Sequence, residues 1–137
     1  MPGLDLANGT TALFFYKVTC PVCQMAAPIV EQLAAGFPDA VAGIGQDPEG
    51  KLDQFGAEYG WSFPSTPDEP PYSVSDAYGI RVVPTVVLVH DGEVADVVES
   101  WDRDGYNRVA AELAELTGGA TAPISEEGDG LPSFRPG

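Results

Sequence analysis

The sequence predicts an α/β domain in which a central mixed β-sheet carries helices on both faces. Two observations lead to this class. First, an apolar run at residues 10–16 is followed by a helix-like stretch at 21–35 and then by a second apolar run at 40–45. Strands joined by a helical crossover are normally parallel neighbours. Second, Asp91-Gly92 separates two strand-like runs, which is a hairpin signal. Helices that follow such strands pack on the faces of one sheet.

The first elements follow from periodicity and from their boundary residues. Residues 10–16 are short, apolar and aromatic, as in a buried strand. The stretch 21–35 has apolar residues at helical spacing, and Gly36 ends it. Residues 40–45 form a second apolar strand. A second helix is expected at 49–59, with its apolar residues on one side.

The second half of the chain begins with a proline-rich loop. A short strand is expected in that loop at Ser62-Phe63, and a short helix at 73–78. Residues 85–90 and 93–100 are the two hairpin strands. Residues 103–116 form the last amphipathic helix. Its predicted inward side chains are Tyr106, Val109, Ala110, Leu113 and Leu116.

The length of 137 residues predicts one domain with a proper core. We assign residues 1–9 to an irregular lead-in and residues 10–117 to the folded domain. Residues 118–137 are low in apolar residues and rich in glycine, proline and acid. Such a composition buries little apolar surface, so we expect a mostly disordered tail.

The charge balance excludes several classes of partner. The chain has 6 basic and 21 acidic residues, a net charge of −15. Nucleic acids and anionic lipids need a positive surface, so neither is an expected partner. No apolar run reaches the length that crosses a membrane. The first residues lack a basic segment followed by an apolar core, which predicts a cytoplasmic protein, or an extracytoplasmic one if a leader has been removed.

The only two cysteines, Cys20 and Cys23, form a Cys-x-x-Cys motif between the first strand and the first helix. The first cysteine lies at the helix N-terminus, where free N–H groups and the helix dipole favour a nucleophilic thiolate. Cys23, one turn along, is close enough to form a disulfide with Cys20. Two alternatives remain. The cysteines could be half of a zinc site, but no third cysteine is present and His90 lies far along the chain. They could also be two small residues that are simply buried in the core.

Two segments resemble a known family. The stretch CPVCQMAAP, with proline five residues after Cys23, and the stretch RVVPT at residues 81–85 are similar to the two motifs of thioredoxin-fold proteins. The helix-containing insertion between them is closer to the TlpA/ResA-like and AhpC/TSA-like branch. The resemblance covers residues 10–117. It implies a thioredoxin-like fold, a cis Val83–Pro84 bond, and backbone at Val83 and Pro84 that faces an extended substrate. Thr19, directly before Cys20, is expected on the same substrate side.

The resemblance implies a thiol–disulfide oxidoreductase that exchanges disulfides with protein partners. In this hypothesis Cys20 makes the mixed disulfide and Cys23 resolves it. No metal or organic cofactor is required, and a monomer is expected. One alternative is a thiol peroxidase that uses the same cysteines, although Lys17 stands where a peroxidase motif has threonine or serine. Another is a non-catalytic Cu(I) carrier, which lacks a third ligand near the pair.

The sequence also departs from the family at two positions. Thioredoxin has an aspartate six residues before its first cysteine, and ResA-type proteins have a glutamate three residues after the second. Phe14 and Ala26 stand at those positions here. The family's proton acceptors for the second cysteine are therefore absent, and we expect Cys23 to lose its proton slowly near neutral pH.

Overall fold

The centre of the fold is a five-stranded sheet with strand order β3-β2-β1-β4-β5, seen in a computed structural model that describes residues 6, 8–120 and 123–137. In chain order the elements are β1 (Thr10–Tyr16), α1 (Pro21–Gly36), β2 (Val41–Gly45), α2 (Glu49–Glu58), β3 (Ser65–Pro67), α3 (Ser73–Ala77), β4 (Thr85–His90), β5 (Glu93–Glu99), β6 (Trp101–Asp102), α4 (Arg103–Thr117) and β7 (Phe134–Arg135). None of the described helices is long and apolar enough to cross a membrane.

Strand β1 lies in the middle of the sheet. It pairs in parallel with β2 and antiparallel with β4. Strands β4 and β5 form an antiparallel hairpin, and its turn residues Asp91 and Gly92 have φ values of 48° and 84°. Positive φ at both turn positions matches the right-handed twist of the flanking strands. The predicted mixed sheet, with a parallel first pair and a hairpin, is confirmed.

The alternation of side chains along β1 explains why both faces of the sheet are covered. Phe14 and Tyr16 point to one face, where they join a core cluster built with α1, α2 and α4. Leu13 and Phe15 point to the other face, in a smaller cluster covered by α3 and the turn after it. Both sets of side chains are almost completely buried. The prediction of helices on both faces is confirmed, and the fold is thioredoxin-like.

Two local predictions are wrong. The short strand β3 lies at Ser65–Pro67 instead of Ser62-Phe63, because Phe63 packs on the Trp61 ring at a centroid distance of 4.4 Å. The chain reaches β2 only afterwards, where the Gly43 N–H donates to the Pro64 carbonyl at 2.8 Å. At the end of α4, Leu116 is 39% exposed. Its place on the buried side is taken by Ala114.

The C-terminal segment, by which we mean residues 123–137, also differs from its sequence-based expectation. We expected a mostly disordered tail, but this segment lies against α4 and β6. Strand β7 pairs antiparallel with β6, Ser125 is buried, and Ile124 and Leu131 pack against the main core cluster. Its contacts are largely hydrogen bonds, which a count of apolar residues does not reveal.

Candidate active site

The turn between β1 and α1 is fixed from both sides. The Asp47 Oδ2 atom accepts a hydrogen bond from the Val18 N–H at 2.8 Å. The Gln24 side-chain amide donates to the Val18 carbonyl at 2.9 Å, and the Cys20 N–H donates to the Lys17 carbonyl at 3.1 Å. Groups from α1 and from the loop after β2 thus hold the turn that presents Cys20.

Cys20 is the N-cap residue of α1 and has extended backbone angles, φ −81° and ψ 115°. Its Sγ atom accepts a hydrogen bond from the Cys23 N–H at 3.1 Å. This N–H lies at the positive end of the helix dipole and is placed to stabilise negative charge on the sulfur. Cys20 is partly exposed and forms no disulfide, so a partner can reach it. The predicted position of Cys20 at the helix N-terminus is confirmed.

Cys23 has the opposite environment, although it lies one helical turn away. Its side chain is completely buried in the main core cluster. Burial raises the pKa of the Cys23 thiol well above its ordinary value, and the hydrogen bond with Cys20 raises it further. Cys23 is therefore a protonated thiol at neutral pH, while Cys20 is the partly exposed residue of the pair.

The Val83–Pro84 segment lies beside the dithiol. The Cys20 thiol donates to the Val83 carbonyl oxygen at 3.6 Å, and the Val83–Pro84 bond is cis, as the resemblance implied. The Thr85 hydroxyl donates to the Val82 carbonyl at 2.7 Å, which holds the segment at the start of β4. Thr19 is exposed next to Cys20. The structure therefore brings Val83 into contact with the Cys20 sulfur and leaves Thr19 exposed beside it.

The two positions that lack the family carboxylates are both apolar and buried. Phe14 is 1% exposed and stacks on Tyr16 with centroids 5.4 Å apart. Ala26 is fully buried in α1. Burial also raises the pKa of Tyr16 to about 12, and its hydroxyl donates to the Ser65 Oγ atom at 2.8 Å. None of these side chains supplies a carboxylate to Cys23.

One polar group near the dithiol was not predicted. Among the residues that the structure describes, Tyr106 Oη is the one buried side-chain polar atom without a hydrogen-bond partner. Tyr106 lies in the first turn of α4, packs on Trp101 with centroids 4.7 Å apart, and shares the main core cluster with Cys23. Burial raises the pKa of Tyr106, and electrostatic interaction with Cys23 and Cys20 raises it further. The helical spacing identified Tyr106 only as an inward residue.

The side chains of His90 and Lys17 each have a partner of their own. His90 is at the far end of β4, where its Nδ1 atom is 2.7 Å from the Thr10 hydroxyl. The Lys17 ammonium lies 5.8 Å from the centre of the Tyr72 ring. Within the described part of the chain, no group of three or more histidine, cysteine, aspartate or glutamate side chains is arranged to hold a metal ion.

Comparison with known proteins agrees with this geometry. Residues 4–97 match the model of the AhpC/TSA family. The chain belongs to this family. The chain is 34% identical over 98 residues to the thiol-disulfide oxidoreductase ResA of Halalkalibacterium halodurans, and the match covers 68% of this chain and 55% of ResA. It is 31% identical over 84 residues to thioredoxin 1 of Synechococcus elongatus, covering 61% of this chain and 60% of that protein. The chain thus spans little more than half the length of either relative.

Solved structures confirm the fold of this AhpC/TSA family member. MTB DsbF superposes with a TM-score of 0.67 at 28% identity, over 81% of this chain and 83% of that one. A putative thiol:disulfide interchange protein DsbE from Chlorobium tepidum superposes with a TM-score of 0.71 at 20% identity, over 82% of each chain. The resemblance to TlpA/ResA-like redoxins is therefore confirmed.

Proposed function

We propose that the protein is a thiol–disulfide oxidoreductase that exchanges disulfides with protein partners through Cys20 and Cys23. The observation that supports this most directly is the contrast between the two sulfurs. Cys20 is partly exposed and its sulfur accepts a hydrogen bond from the Cys23 N–H at 3.1 Å, whereas the Cys23 side chain is completely buried. An accessible attacking thiolate beside a shielded resolving thiol is what two-step disulfide exchange needs.

The proposed reaction has two displacement steps. The Cys20 thiolate attacks one sulfur of a partner disulfide, which forms a mixed disulfide and releases the other partner sulfur as a thiolate. Cys23 then loses its proton and attacks the Cys20 sulfur, which forms the Cys20–Cys23 disulfide and releases the second partner thiolate. Two electrons pass from the dithiol to the partner. Run backwards, the same steps oxidise a partner dithiol.

The partner is proposed to bind as an extended segment along the Val83 backbone. The Val83 carbonyl oxygen is 3.6 Å from the Cys20 sulfur, so a strand on this backbone would bring its own sulfur to Cys20. Main-chain hydrogen bonds tolerate varied sequences. Thr19, which is exposed, and Pro84, which is buried in this structure, complete the proposed substrate-facing surface. We include in this proposal that the protein acts as a monomer without a metal or organic cofactor.

Matched serine substitutions at the two cysteines test the proposal. Cys20→Ser should abolish reduction of a disulfide-bonded fluorescent reporter peptide, because the attacking sulfur is lost. Cys23→Ser should lose turnover but still release one reporter thiol per protein, because the first step needs only Cys20. The same reporter, reduced at the start, measures the reverse reaction.

Retention of most activity by Cys20→Ser would contradict the assigned roles. The same preparations should be given hydrogen peroxide and a thiol reductant. Peroxide consumption faster than reporter exchange would instead favour the thiol peroxidase, and tight Cu(I) binding without exchange would favour the carrier.

A further inference from the structure

Residue Gly137 of the C-terminal segment lies against the backbone of the candidate active site. The Gly137 N–H donates to the Ser100 hydroxyl at 3.0 Å. A Cβ atom added to Gly137 would overlap the Val83 carbonyl oxygen and would lie 3.4 Å from the Pro84 Cδ atom. The same carbonyl oxygen is 3.6 Å from the Cys20 sulfur. Residue 137 therefore occupies space directly beside the proposed substrate-facing backbone.

This part of the segment is also extended, as a bound peptide would be. In strand β7, Arg135 pairs with Trp101 and Phe134 pairs with Asp102 in antiparallel register. Strand β6 directly follows Ser100, whose N–H donates to the Pro84 carbonyl at 2.8 Å. The pairing thus leads residues 134–137 along β6 and onto the Val83–Pro84 bond.

The preceding residues are anchored much more firmly. The Arg103 side chain donates to the Ser125 hydroxyl at 3.1 Å, to Asp129 at 3.1 Å and to the Leu131 carbonyl at 2.8 Å. Asn107 accepts from the Ile124 N–H at 2.8 Å. These bonds attach residues 124–131 to the first two turns of α4.

The next two residues are held by β6 and by the start of α4. The Trp101 indole N–H donates to the Pro132 carbonyl at 2.7 Å, and the Arg103 N–H donates to the Ser133 carbonyl at 2.9 Å. Beyond them Phe134 is 55% exposed, and residues 135–137 are exposed as well. A firm anchor is therefore followed by residues 134–137, which are exposed and weakly held.

We propose that residues 134–137 are an internal occupant of the surface on which a partner's extended segment docks, and that the partner displaces them while residues 124–133 stay attached. This inference rests on the proposed function for the identity of the surface. Because the occupant is tethered, it competes at a high effective concentration. The apparent affinity for a partner is proportional to the fraction of molecules in which the surface is free. Partners with a well-matched extended segment are thereby favoured over chance contacts.

Two variants remove the occupant without touching its anchor. One chain ends after Ser133. The other carries Gly137→Val, whose side chain would overlap the Val83 carbonyl oxygen. The matched control is Gly50→Val, because a Cβ added to Gly50 meets nothing within 4 Å. All are made in the Cys23→Ser background, so that the mixed disulfide formed by Cys20 accumulates and its rate can be measured.

We expect both variants to form the mixed disulfide with an extended disulfide peptide at least about threefold faster than the parent, as for a surface that is occupied most of the time. Reaction with 2-hydroxyethyl disulfide, which is too small to need the surface, should change by less than the peptide reaction. Gly50→Val should react like the parent. Equal acceleration with both reagents, or none with the peptide, would overturn the inference.

Hydrogen exchange separates this inference from the proposed function. The same peptide is attached to Cys20 by chemical activation, so the result does not depend on turnover. We expect the amides of Phe134, Arg135 and Gly137 to lose protection in this adduct and to keep it when Cys20 carries only a 2-hydroxyethylthio group. Protection that persists under the peptide would refute displacement even if the protein is an active oxidoreductase. Loss of protection without reporter turnover would refute only the proposed function.

Discussion

The dithiol turn, residues 17–24, and the C-terminal segment meet at Val83, but they are held in different ways. Within the dithiol turn most hydrogen bonds join close neighbours: the Cys23 N–H bonds Cys20 three residues away, and Gln24 bonds Val18 six residues away. The C-terminal segment has local hydrogen bonds at Asp129, but the bonds that attach it to the domain span 17 residues from Asn107 to Ile124 and 37 residues from Ser100 to Gly137. The first region is specified locally, and the second only once α4 and β6 are in place.

This difference shows why composition misled us about one region. A polar, glycine-rich segment has little apolar surface to bury, so its order depends on hydrogen bonds to partners of fixed geometry. Arg103 and Asn107 provide such partners, because one helical turn places them on the same side of α4. Their sequence positions give no sign of what they bind.

The largest expected effect is the pH dependence of resolution by Cys23. Burial raises the pKa of this thiol, so its thiolate fraction is small near pH 7 and increases as the pH rises towards the raised pKa. The rate at which Cys23 releases a mixed disulfide should therefore climb about tenfold per pH unit over much of the range from pH ~6 to ~10. Stopped-flow measurement of thiol release gives this rate. A pH-independent rate would show that another group already takes the proton.

A carboxylate introduced at position 26 should make it easier for Cys23 to lose its proton during resolution. Ala26→Glu places an acid at the ResA-type position, and we expect resolution at pH 7 to become roughly 10- to 100-fold faster. The first attack by Cys20 should not change. Ala26→Gln is the matched control, because it has nearly the same shape without the charge. Equal acceleration by both substitutions would mean that altered packing, not proton transfer, is responsible.

The next effect concerns the anchor of the C-terminal segment. Arg103→Ala should lower the free energy of unfolding by about 2 kcal/mol, because the Leu131 carbonyl and the Ser125 hydroxyl lose hydrogen bonds from a side chain that is only 12% exposed. Arg108→Ala on the same helix is the control. Its partner Asp96 is 2.7 Å away, but the Arg108 side chain is 49% exposed, so about 0.5 kcal/mol is expected. Urea unfolding measures both, and equal losses would contradict the anchor.

A smaller effect of opposite sign on the free energy of unfolding is expected at Tyr106, which shares the main core cluster with Cys23. Tyr106→Phe removes a buried hydroxyl that has no hydrogen-bond partner and keeps the ring contact with Trp101. The free energy of unfolding should rise by about 1 kcal/mol, because the desolvation cost of that hydroxyl is removed. Thermal and urea unfolding both measure the change. A loss of stability would show that the hydroxyl has a partner in solution, with an ordered water as the simplest candidate.

The smallest effect is expected at the end of the C-terminal segment. Phe134 is 55% exposed, so Phe134→Ser should change the free energy of unfolding by no more than about 0.5 kcal/mol. Leu131→Ser is the comparison, because Leu131 packs against the main core cluster and should cost more. A large loss at Phe134 would mean that residues 134–137 are held too firmly to be displaced by a partner.

The elements that the sequence predicted well are those with local signals. Strands β1 and β4 have the predicted bounds, since each is a continuous apolar run with clear ends. The position of Cys20 follows from a strand, a motif and a proline at the first helical position. Leu116 fits the helical period but lies at the last turn of α4, beyond the edge of the core. Periodicity gives the side of a helix and not how far the neighbouring layer extends.

The environment of the site was harder to predict, because it depends on which elements meet. Motif resemblance indicated that Val83 would lie beside Cys20. Nothing local indicated that Tyr106 would bring an unpartnered hydroxyl into the core cluster that contains Cys23. Nor did any local signal indicate that Gly137 would lie against Val83. Both contacts join parts of the chain that are far apart in sequence.

If Cys20 attacks and Cys23 resolves, the mass of the protein after reaction with glutathione disulfide differs in a defined way between the wild type and the two serine variants. For the reduced wild type we predict the loss of two hydrogen atoms and no lasting adduct, because Cys23 displaces the glutathione from Cys20. Cys23→Ser should keep one glutathione, and Cys20→Ser should remain unmodified on the same timescale. A stable glutathione adduct on the wild type, or preferential modification of Cys20→Ser, would contradict the account.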